Sequence, residues 1–203
     1  MDPNHWDNRY TSPGYVYGKS PASFFSSFLG TVKPGKILLP CEGEGRNAVY
    51  AASLGWEVYA FDQSEQGRQK ALALARERQV TIHFDLSDVL DFNPGNLRFD
   101  LIAFIWAHFT PEVRKAAHTI YPGYLRQGGF FLIEGFSKKQ LSFTSGGPRN
   151  AEMLLDVIDI REELCGLTTL QLEESLVTLE EGDFHRGEAA VIRYLGRKSD
   201  TMT

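Results

Sequence analysis

Cysteine is scarce in this sequence: Cys41 and Cys165 are the only two cysteines among 203 residues, and they stand in unrelated contexts. Two cysteines are too few for a disulfide framework or a cysteine-based zinc site. The five histidines show no metal-ligand spacing either. We therefore predict no metal site and a reducing, cytoplasmic environment.

An excess of positive charge is also missing. The 21 lysines and arginines are outnumbered by 26 aspartates and glutamates, which leaves a formal net charge of −5. Binding to nucleic acid or to an anionic membrane surface needs a basic face. The composition therefore predicts neither as a partner, and it gives no prediction of the oligomeric state.

Long apolar runs are absent too. The longest, residues 101–107, is far shorter than the roughly 20 residues that a helix needs to cross a bilayer. The opening MDPNHWDNRY has no basic or apolar segment of the kind that marks a secretory signal. We expect neither a membrane-spanning segment nor a secretory signal.

Alternating strand and helix patterns run through most of the chain. Hydrophobic residues make up 42% of it, enough for one packed domain. Helical segments separate short apolar runs that predict strands at 36–40, 56–62, 80–84, 99–106 and 130–136. This alternation is typical of βαβ units and a parallel sheet. Two further strand-like runs, 171–179 and 189–196, flank the loop EEGDFHRGE and predict an antiparallel hairpin.

A glycine turn, CEGEGRNA, follows the first predicted strand and precedes a helix. Gly43 and Gly45 let the backbone approach a ligand closely, and a helix N-terminus favours a nucleotide-type ligand. Asp62, at the end of the second predicted strand, is placed to accept hydrogen bonds from both hydroxyls of a ribose. The alternative is that the glycines serve only tight packing between helix and strand.

The turn alone fits either NAD or S-adenosylmethionine, because GEGRNA also satisfies the dinucleotide pattern G-x-G-x-x-A. A dehydrogenase usually has a second domain for its substrate, and 203 residues leave little room for one. The antiparallel hairpin after five parallel strands favours S-adenosylmethionine.

Several segments together resemble the class I S-adenosylmethionine-dependent methyltransferases, and most of all the small bacterial enzymes related to tellurite-resistance and thiopurine methyltransferases. These segments are WDNRY…YVYGKSPASFF, CEGEGRNAVYAASLGWEVYAFDQS, FDLIAFIWAHFTPE, LRQGGFFLIEGFS and the closing hairpin. The resemblance implies an α/β, Rossmann-like fold: a seven-stranded, mostly parallel sheet with its last strand antiparallel and helices on both faces. It implies one domain over 1–203, with a cofactor-covering arm and helix (1–33), a cofactor-binding core (34–136), and a lid loop, short helices and hairpin (137–203).

The resemblance also implies which residues bind S-adenosylmethionine. Asp62 matches the ligand of the ribose hydroxyls, and Gln63 lies beside the adenine. Asp88-Val89 matches the position that binds the adenine amino group, with Asp85-Leu86 as the alternative. The full predicted set is Glu42, Gly43, Gly45, Asn47, Asp62, Gln63, Asp88, Val89 and Ile105.

The glycine turn departs from the family pattern at two positions. Leu39 stands where the family usually has an acid, and Cys41 stands where it usually has its first glycine. We expect Glu42 to supply a carboxylate near the ammonium group of the cofactor instead.

Two histidines are candidates for the chemistry. His108 follows the fourth predicted strand, at the sheet edge where ligands bind, and is predicted to act as a general base or a substrate partner. The alternative is that His108 fixes the turn by bonding to backbone groups. His185 lies in the hairpin loop, which we expect to form a wall of the pocket; a solvated turn is the alternative.

Two further candidates lie in flexible-looking segments. Tyr17, in the N-terminal arm, is expected to cover the cofactor, and an aromatic cluster that anchors the arm is the alternative. Arg149, in the glycine-bearing stretch SFTSGGPRN, is expected to meet an anionic or polarisable substrate from a mobile lid. A solvated connection is the alternative for this loop.

These patterns predict an enzyme that transfers a methyl group from S-adenosylmethionine to a small molecule. The family resemblance favours a thiol or a selenium or tellurium species as the acceptor. Two other hypotheses remain: a short NAD-type oxidoreductase, and a non-catalytic scaffold that keeps the cofactor fold.

Overall fold

A seven-stranded sheet forms the centre of the computed structural model, which describes residues 3–199. The strands are β1 (Lys36–Pro40), β2 (Glu57–Asp62), β3 (His83–Leu86), β4 (Phe99–Ile105), β5 (Leu125–Phe136), β6 (Thr168–Glu181) and β7 (His185–Arg197). Their order in the sheet is β3-β2-β1-β4-β5-β7-β6. The first five strands run parallel, and β7 is antiparallel to both β5 and β6. The predicted architecture is confirmed.

Helices cover both faces of this sheet. The α-helices of the described chain are α1 (Pro3–Tyr10), α2 (Ser23–Leu29), α3 (Arg46–Ser53), α4 (Glu65–Glu77), α5 (Pro111–Ile120) and α6 (Val157–Glu163). Local signals set two of the helix starts. Ser64 Oγ accepts a hydrogen bond from Gly67 N at 3.0 Å at the start of α4, and Pro111 is the first residue of α5. No helix within residues 3–199 is long and apolar enough to span a membrane.

The core has two layers because the central strands are buried on both faces. Leu101 and Ala103 of β4 belong to the cluster under α2, α3 and α4. The alternate residues Ile102 and Phe104 belong to the cluster under α5 and α6. A central parallel strand buried on both faces is what the apolar run at 99–106 predicted.

Several strand boundaries differ from the prediction, and β5 begins at Leu125 rather than at residue 130. The third strand is His83–Leu86 rather than 80–84, because only its later residues reach β2: Tyr59 pairs with His83, and Asp62 pairs with Leu86. The hairpin strands are longer than predicted and extend to Glu181 and His185. Most of EEGDFHRGE is therefore paired strand, and only residues 182–184 form the turn.

Candidate active site

A cavity of about 660 Å³ lies at the carboxyl ends of the parallel strands, where the strand order reverses between β1 and β4. Its walls come from α1, the following arm, the glycine turn, the strand ends and the hairpin. The lining residues are His5, Trp6, Arg9, Tyr10, Tyr17, Gly18, Cys41, Glu42, Glu44, Arg46, Asn47, Asp62, Gln63, Ser87, Asp88, Val89, Ile105, Trp106, Ala107, His108, Phe109, Val113, Phe136, Gly147, Pro148 and His185.

Glu42 caps helix α3 and lines the cavity at the same time. Its Oε1 accepts hydrogen bonds from Asn47 N at 2.7 Å and from Ala48 N at 2.8 Å, and its Oε2 accepts one from Asn47 Nδ2 at 3.3 Å. Burial raises the pKa of Glu42 to about 7, and these donors oppose that shift. These hydrogen bonds hold the Glu42 carboxylate in a fixed orientation at the start of α3.

The two glycines of the turn serve packing and backbone conformation. Gly43 and Gly45 have φ of +61° and +86°, in the left-handed region that favours glycine. A Cβ on Gly45 would lie 2.5 Å from Cβ of Ala71 on α4, and one on Gly43 would lie 2.5 Å from the hydroxyl of Tyr10 on α1. Neither glycine lines the cavity. The geometry therefore matches the packing alternative better than direct approach to a ligand.

Asp62 is the last residue of β2 and lines the cavity, and backbone N–H groups donate hydrogen bonds to its carboxylate. Its Oδ2 accepts a hydrogen bond from Gly43 N, and its Oδ1 accepts one from Ser64 N, both at 2.9 Å. Burial raises the pKa of Asp62 to about 6, and the backbone donors oppose the shift. Each carboxylate oxygen keeps lone-pair capacity for a ligand hydroxyl.

The loop after β3 brings the predicted adenine-side residues to the same cavity. Ser87 N donates to Asp62 O at 3.0 Å, which places the end of β3 beside the end of β2. Asp88 and Val89 line the cavity, as do Gln63, Asn47 and Ile105, whereas the alternative pair Asp85-Leu86 lies in β3 and does not.

His108 has both ring nitrogens engaged by backbone groups. Phe136 N donates to its Nε2 at 3.2 Å, so its Nδ1 carries the proton and donates to Met153 O at 3.1 Å. Burial lowers the pKa of His108 to about 4, which keeps the ring neutral. Its lone pair is occupied, so the geometry matches the alternative in which His108 fixes the loop rather than the base role.

His185 is a buried wall of the cavity rather than part of a solvated turn. Its ring packs against Tyr17 and Trp106, with centroid distances of 4.6 and 4.8 Å. Its Nδ1 lies 3.4 Å from Oε2 of Glu181, and that oxygen also accepts from Arg46 Nη2 at 2.7 Å. Burial lowers the pKa of His185, against the effect of Glu181.

Of the other two candidates for the chemistry, Tyr17 lines the cavity and Arg149 does not. Tyr17 lines the cavity beside His185, and its hydroxyl accepts a hydrogen bond from Arg9 Nη1 at 3.1 Å. Arg149 is exposed, lies outside the cavity wall and donates to Phe143 O at 2.8 Å, although its neighbours Gly147 and Pro148 line the cavity. Its guanidinium is held by its own loop, which fits the solvated alternative.

The two residues that depart from the family pattern, Leu39 and Cys41, lie in different surroundings: Leu39 is in the core and Cys41 lines the cavity. Leu39 is buried in the core, where it packs under the helices. Cys41 and Trp106 line the cavity with φ of +55° and +58°, a conformation that costs a residue with a side chain about 1–2 kcal/mol. Both sites of backbone strain thus face the cavity from neighbouring strand ends.

Four residues of the site carry no signal in the sequence. Glu44 Oε2 accepts from Val16 N at 2.8 Å and so ties the arm to the glycine turn. Arg46, Glu181 and Arg9 join the turn, the hairpin and α1 around Tyr17. Glu44 and Arg46 lie in the glycine turn itself, but the groups they bind come from distant segments, so no local spacing reveals these contacts.

No group of three or more histidine, cysteine, aspartate or glutamate side chains within the described range could hold a metal ion.

A family model and several solved structures match this chain. A family model described as a methyltransferase domain matches residues 37–129, which include the glycine turn, Asp62 and Asp88. A solved structure described as "Conversion of a Disulfide Bond into a Thioacetal Group during Echinomycin Biosynthesis" matches 99% of this chain and 94% of its own, at a TM-score of 0.76 and 18% identity.

Two further solved structures have the same architecture. TehB from Haemophilus influenzae matches 97% of this chain and 67% of its own, with a TM-score of 0.73 and 17% identity. The N-methyltransferase NodS from Bradyrhizobium japonicum WM9, in complex with S-adenosyl-L-homocysteine, matches 96% and 97%, with a TM-score of 0.71 and 13% identity. At these identities the likeness establishes the fold. No curated protein matches the sequence.

Proposed function

Because this chain carries a class I methyltransferase domain with S-adenosylmethionine as its cofactor, we propose that it methylates a small molecule at a soft, polarisable atom. The sulfur of a thiol, or a selenium or tellurium species, has this character. The observation that carries the proposal is the aromatic, uncharged wall that β4, β5 and the hairpin form on one side of the cavity.

The other side of the cavity suits the cofactor. Glu42, Asp62 and Asp88 line the part that lies over β1, β2 and β3. Carboxylates accept hydrogen bonds from the hydroxyl, amino and ammonium groups that S-adenosylmethionine presents. We assign Asp62 to the ribose hydroxyls, Asp88 with Val89 to the adenine, and Glu42 with Asn47 to the methionine end. When bound, the cofactor supplies an electrophilic methyl group.

The acceptor side is built from aromatic rings. Trp106, Phe136 and His185 pack on one another, with ring centroids 4.7 to 5.2 Å apart, and Tyr17 and Phe109 extend this wall. Sulfur makes favourable contacts with aromatic rings. A wall of this kind also excludes water from the acceptor atom, which favours transfer by positioning and desolvation.

His185 is the residue best placed to accept a proton from the acceptor. Its Nδ1 faces Glu181 at 3.4 Å, so the neutral ring carries its proton there and leaves Nε2 as the free acceptor. Nε2 has no hydrogen-bond partner within residues 3–199. Arg46 holds Glu181 in place at 2.7 Å. His185 therefore combines a free lone pair with a fixed orientation.

A sulfur acceptor is also consistent with the solved structure described by the conversion of a disulfide bond into a thioacetal group, which shares this fold over 99% of the chain. Fold likeness at 18% identity supports this choice only as an analogy.

A labelled-methyl assay tests the proposal. Purified protein with methyl-labelled S-adenosylmethionine is offered 2-mercaptoethanol, selenite, tellurite and a thiopurine, next to phenol and an amine as hard acceptors. We expect transfer to at least one soft acceptor at a rate above the hard ones. Transfer confined to oxygen or nitrogen would contradict the soft-acceptor assignment. Cofactor binding without transfer to any acceptor would support the scaffold hypothesis.

A further inference from the structure

Arg9 stands out among the charged residues that line the cavity. The lining contains two arginines and no lysine. Arg46 is neutralised by Glu181, whereas Arg9 has no carboxylate partner within the described part of the chain. An unpaired guanidinium in the wall of a partly closed cavity is available to a ligand.

The surroundings of Arg9 hold its guanidinium in place. Its Nη1 donates to the Tyr17 hydroxyl at 3.1 Å, and its Cζ lies 4.8 Å from the ring centroid of Phe184 at the hairpin tip and 5.7 Å from that of Trp6. These contacts use one donor and leave the others of the guanidinium free. They fix Arg9 between the arm and the hairpin, on the side of His185.

The charges of the cavity are unevenly distributed. Its carboxylates, those of Glu42, Glu44, Asp62 and Asp88, come from the turn after β1 and the ends of β2 and β3. The wall formed by β4, β5, the lid loop and the hairpin contributes no carboxylate to the lining. The carboxylate of Glu44, which accepts from Val16 N beside Tyr17, is paired with Lys70 at 2.8 Å, and that of Glu181 is paired with Arg46 at 2.7 Å, so neither is left to neutralise Arg9.

A second donor converges on the same region. The Tyr17 oxygen accepts from Arg9, so its own hydroxyl proton is free to be donated. The Tyr17 ring lies 4.6 Å from that of His185, centroid to centroid, which places this donor beside the proposed proton acceptor. An anionic group here would meet a guanidinium and a phenol together.

We propose that Arg9 and Tyr17 form an anion subsite, and that the methyl acceptor carries a negatively charged group, such as a carboxylate, apart from its reacting atom. The inference rests on the proposed function, since it names a second feature of the same acceptor. The aromatic wall receives the soft atom, and Arg9 receives the charge. Arg9 thus selects the acceptor rather than taking part in methyl transfer.

Ligand binding to the protein saturated with S-adenosylhomocysteine tests the subsite without requiring turnover. The probes are 4-mercaptophenylacetate and its methyl ester, which differ in charge and share the aromatic thiol. We expect the carboxylate to bind about 10- to 100-fold more tightly than the ester, as a charge-assisted bidentate contact would give. Arg9→Met should abolish this preference, Arg9→Lys should keep part of it, and Arg149→Met, on the exposed loop, should leave it unchanged.

Three results would overturn the proposal: equal binding of the two probes, binding of neither, or a preference that survives Arg9→Met. A separate comparison, between two cofactor analogues, tests whether Arg9 binds the cofactor instead. If Arg9→Met weakens S-adenosylhomocysteine but not 5′-methylthioadenosine, Arg9 binds the amino-acid end of the cofactor and the subsite is refuted. If the parent protein prefers the carboxylate probe but transfers methyl groups only to oxygen or nitrogen acceptors, the soft-acceptor function is refuted and the anion subsite stands.

Discussion

Arg46 and Glu181 form an ion pair, Nη2 to Oε2 at 2.7 Å, that joins the first residue of α3 to the last residue of β6. The two side chains are only 7% and 14% exposed. Arg46 also donates to Tyr17 O at 3.1 Å, and Glu181 faces His185. The pair therefore links the turn on the cofactor side to the hairpin on the acceptor side.

Removing one partner of this pair should destabilise the protein. Arg46→Met leaves the Glu181 carboxylate nearly buried without a counter-charge, and we expect a loss of about 3 kcal/mol in the free energy of unfolding. The double variant with Glu181→Met should recover part of it, because no charge is then stranded. Urea unfolding measures both. Lys19→Met is the control, since the Lys19–Glu77 pair is exposed and should be worth less than about 1 kcal/mol.

Asp62 should make cofactor binding depend on pH. Its folded pKa of about 6 lies above its ordinary 3.8, so the carboxylate is protonated, and the cofactor binds more weakly, as the pH falls through about 6. By linkage, the contribution of Asp62 to the stability of the cofactor-free protein is full below about 3.8 and is lost as the pH rises through about 6.

Calorimetric titration of S-adenosylhomocysteine at several pH values checks the role of Asp62. Asp62→Asn should weaken binding about 10- to 100-fold at pH 7.5 and flatten the pH dependence. Asp85→Asn is the matched control, because Asp85 occupies an exposed position of β3 outside the cavity, and this variant should behave like the parent protein. An unchanged affinity in Asp62→Asn would mean that the ribose lies elsewhere.

His185→Gln should lower kcat about 100-fold or more for a thiol acceptor at pH 7, because the proton acceptor is lost. The deficit should shrink as the pH rises above about 8.5, where a thiol ionises without help. Affinity for S-adenosylhomocysteine should not change. A deficit that stays constant across the pH range would indicate a positioning role for His185.

His108→Ala should act on stability rather than on proton transfer. It leaves Phe136 N and Met153 O without their side-chain partner, which should cost about 2 kcal/mol in thermal or urea unfolding. The shape of the pH–rate profile should stay that of the parent protein. A variant of normal stability that loses the acidic limb of that profile, where the rate rises with pH, would restore His108 as the general base.

Gly45→Ala and Gly55→Ala separate packing from backbone conformation. Both glycines have φ near +90°, but a Cβ meets Ala71 at 2.5 Å at Gly45 and nothing within 4 Å at Gly55. We expect about 1 kcal/mol of destabilisation for Gly55→Ala and at least about 2 kcal/mol for Gly45→Ala. Equal losses in denaturant unfolding would show that α3 and α4 do not pack tightly there.

Much of the fold and the cofactor side could be predicted because the signals are local. Apolar runs placed the central strands, and the second of them placed Asp62 at the end of β2. The starts of α4 and α5 likewise carry local signals, Ser64 and Pro111. The third strand was misplaced because Val80 and Ile82 have strand-like side chains, whereas pairing with β2 begins only at His83. Pairing depends on the neighbouring strand, which a local pattern does not contain.

The acceptor side depended on contacts between distant segments. Arg46 and Glu181 are 135 residues apart, and Arg9 reaches the hairpin tip at Phe184 from the first described helix. Equally, nothing local distinguished His185, which lines the cavity, from Arg149, which does not.

By itself, the sequence determined the order of strands and helices, the glycine turn and the carboxylate at the end of β2, since hydrophobic period, caps and turn residues act between near neighbours. Only the tertiary structure decided that backbone groups occupy both ring nitrogens of His108. It also decided that, within residues 3–199, His185 Nε2 has no hydrogen-bond partner and Arg9, in the cavity wall, has no carboxylate partner. Those properties depend on which side chains meet and what they leave unpaired, and packing settles both.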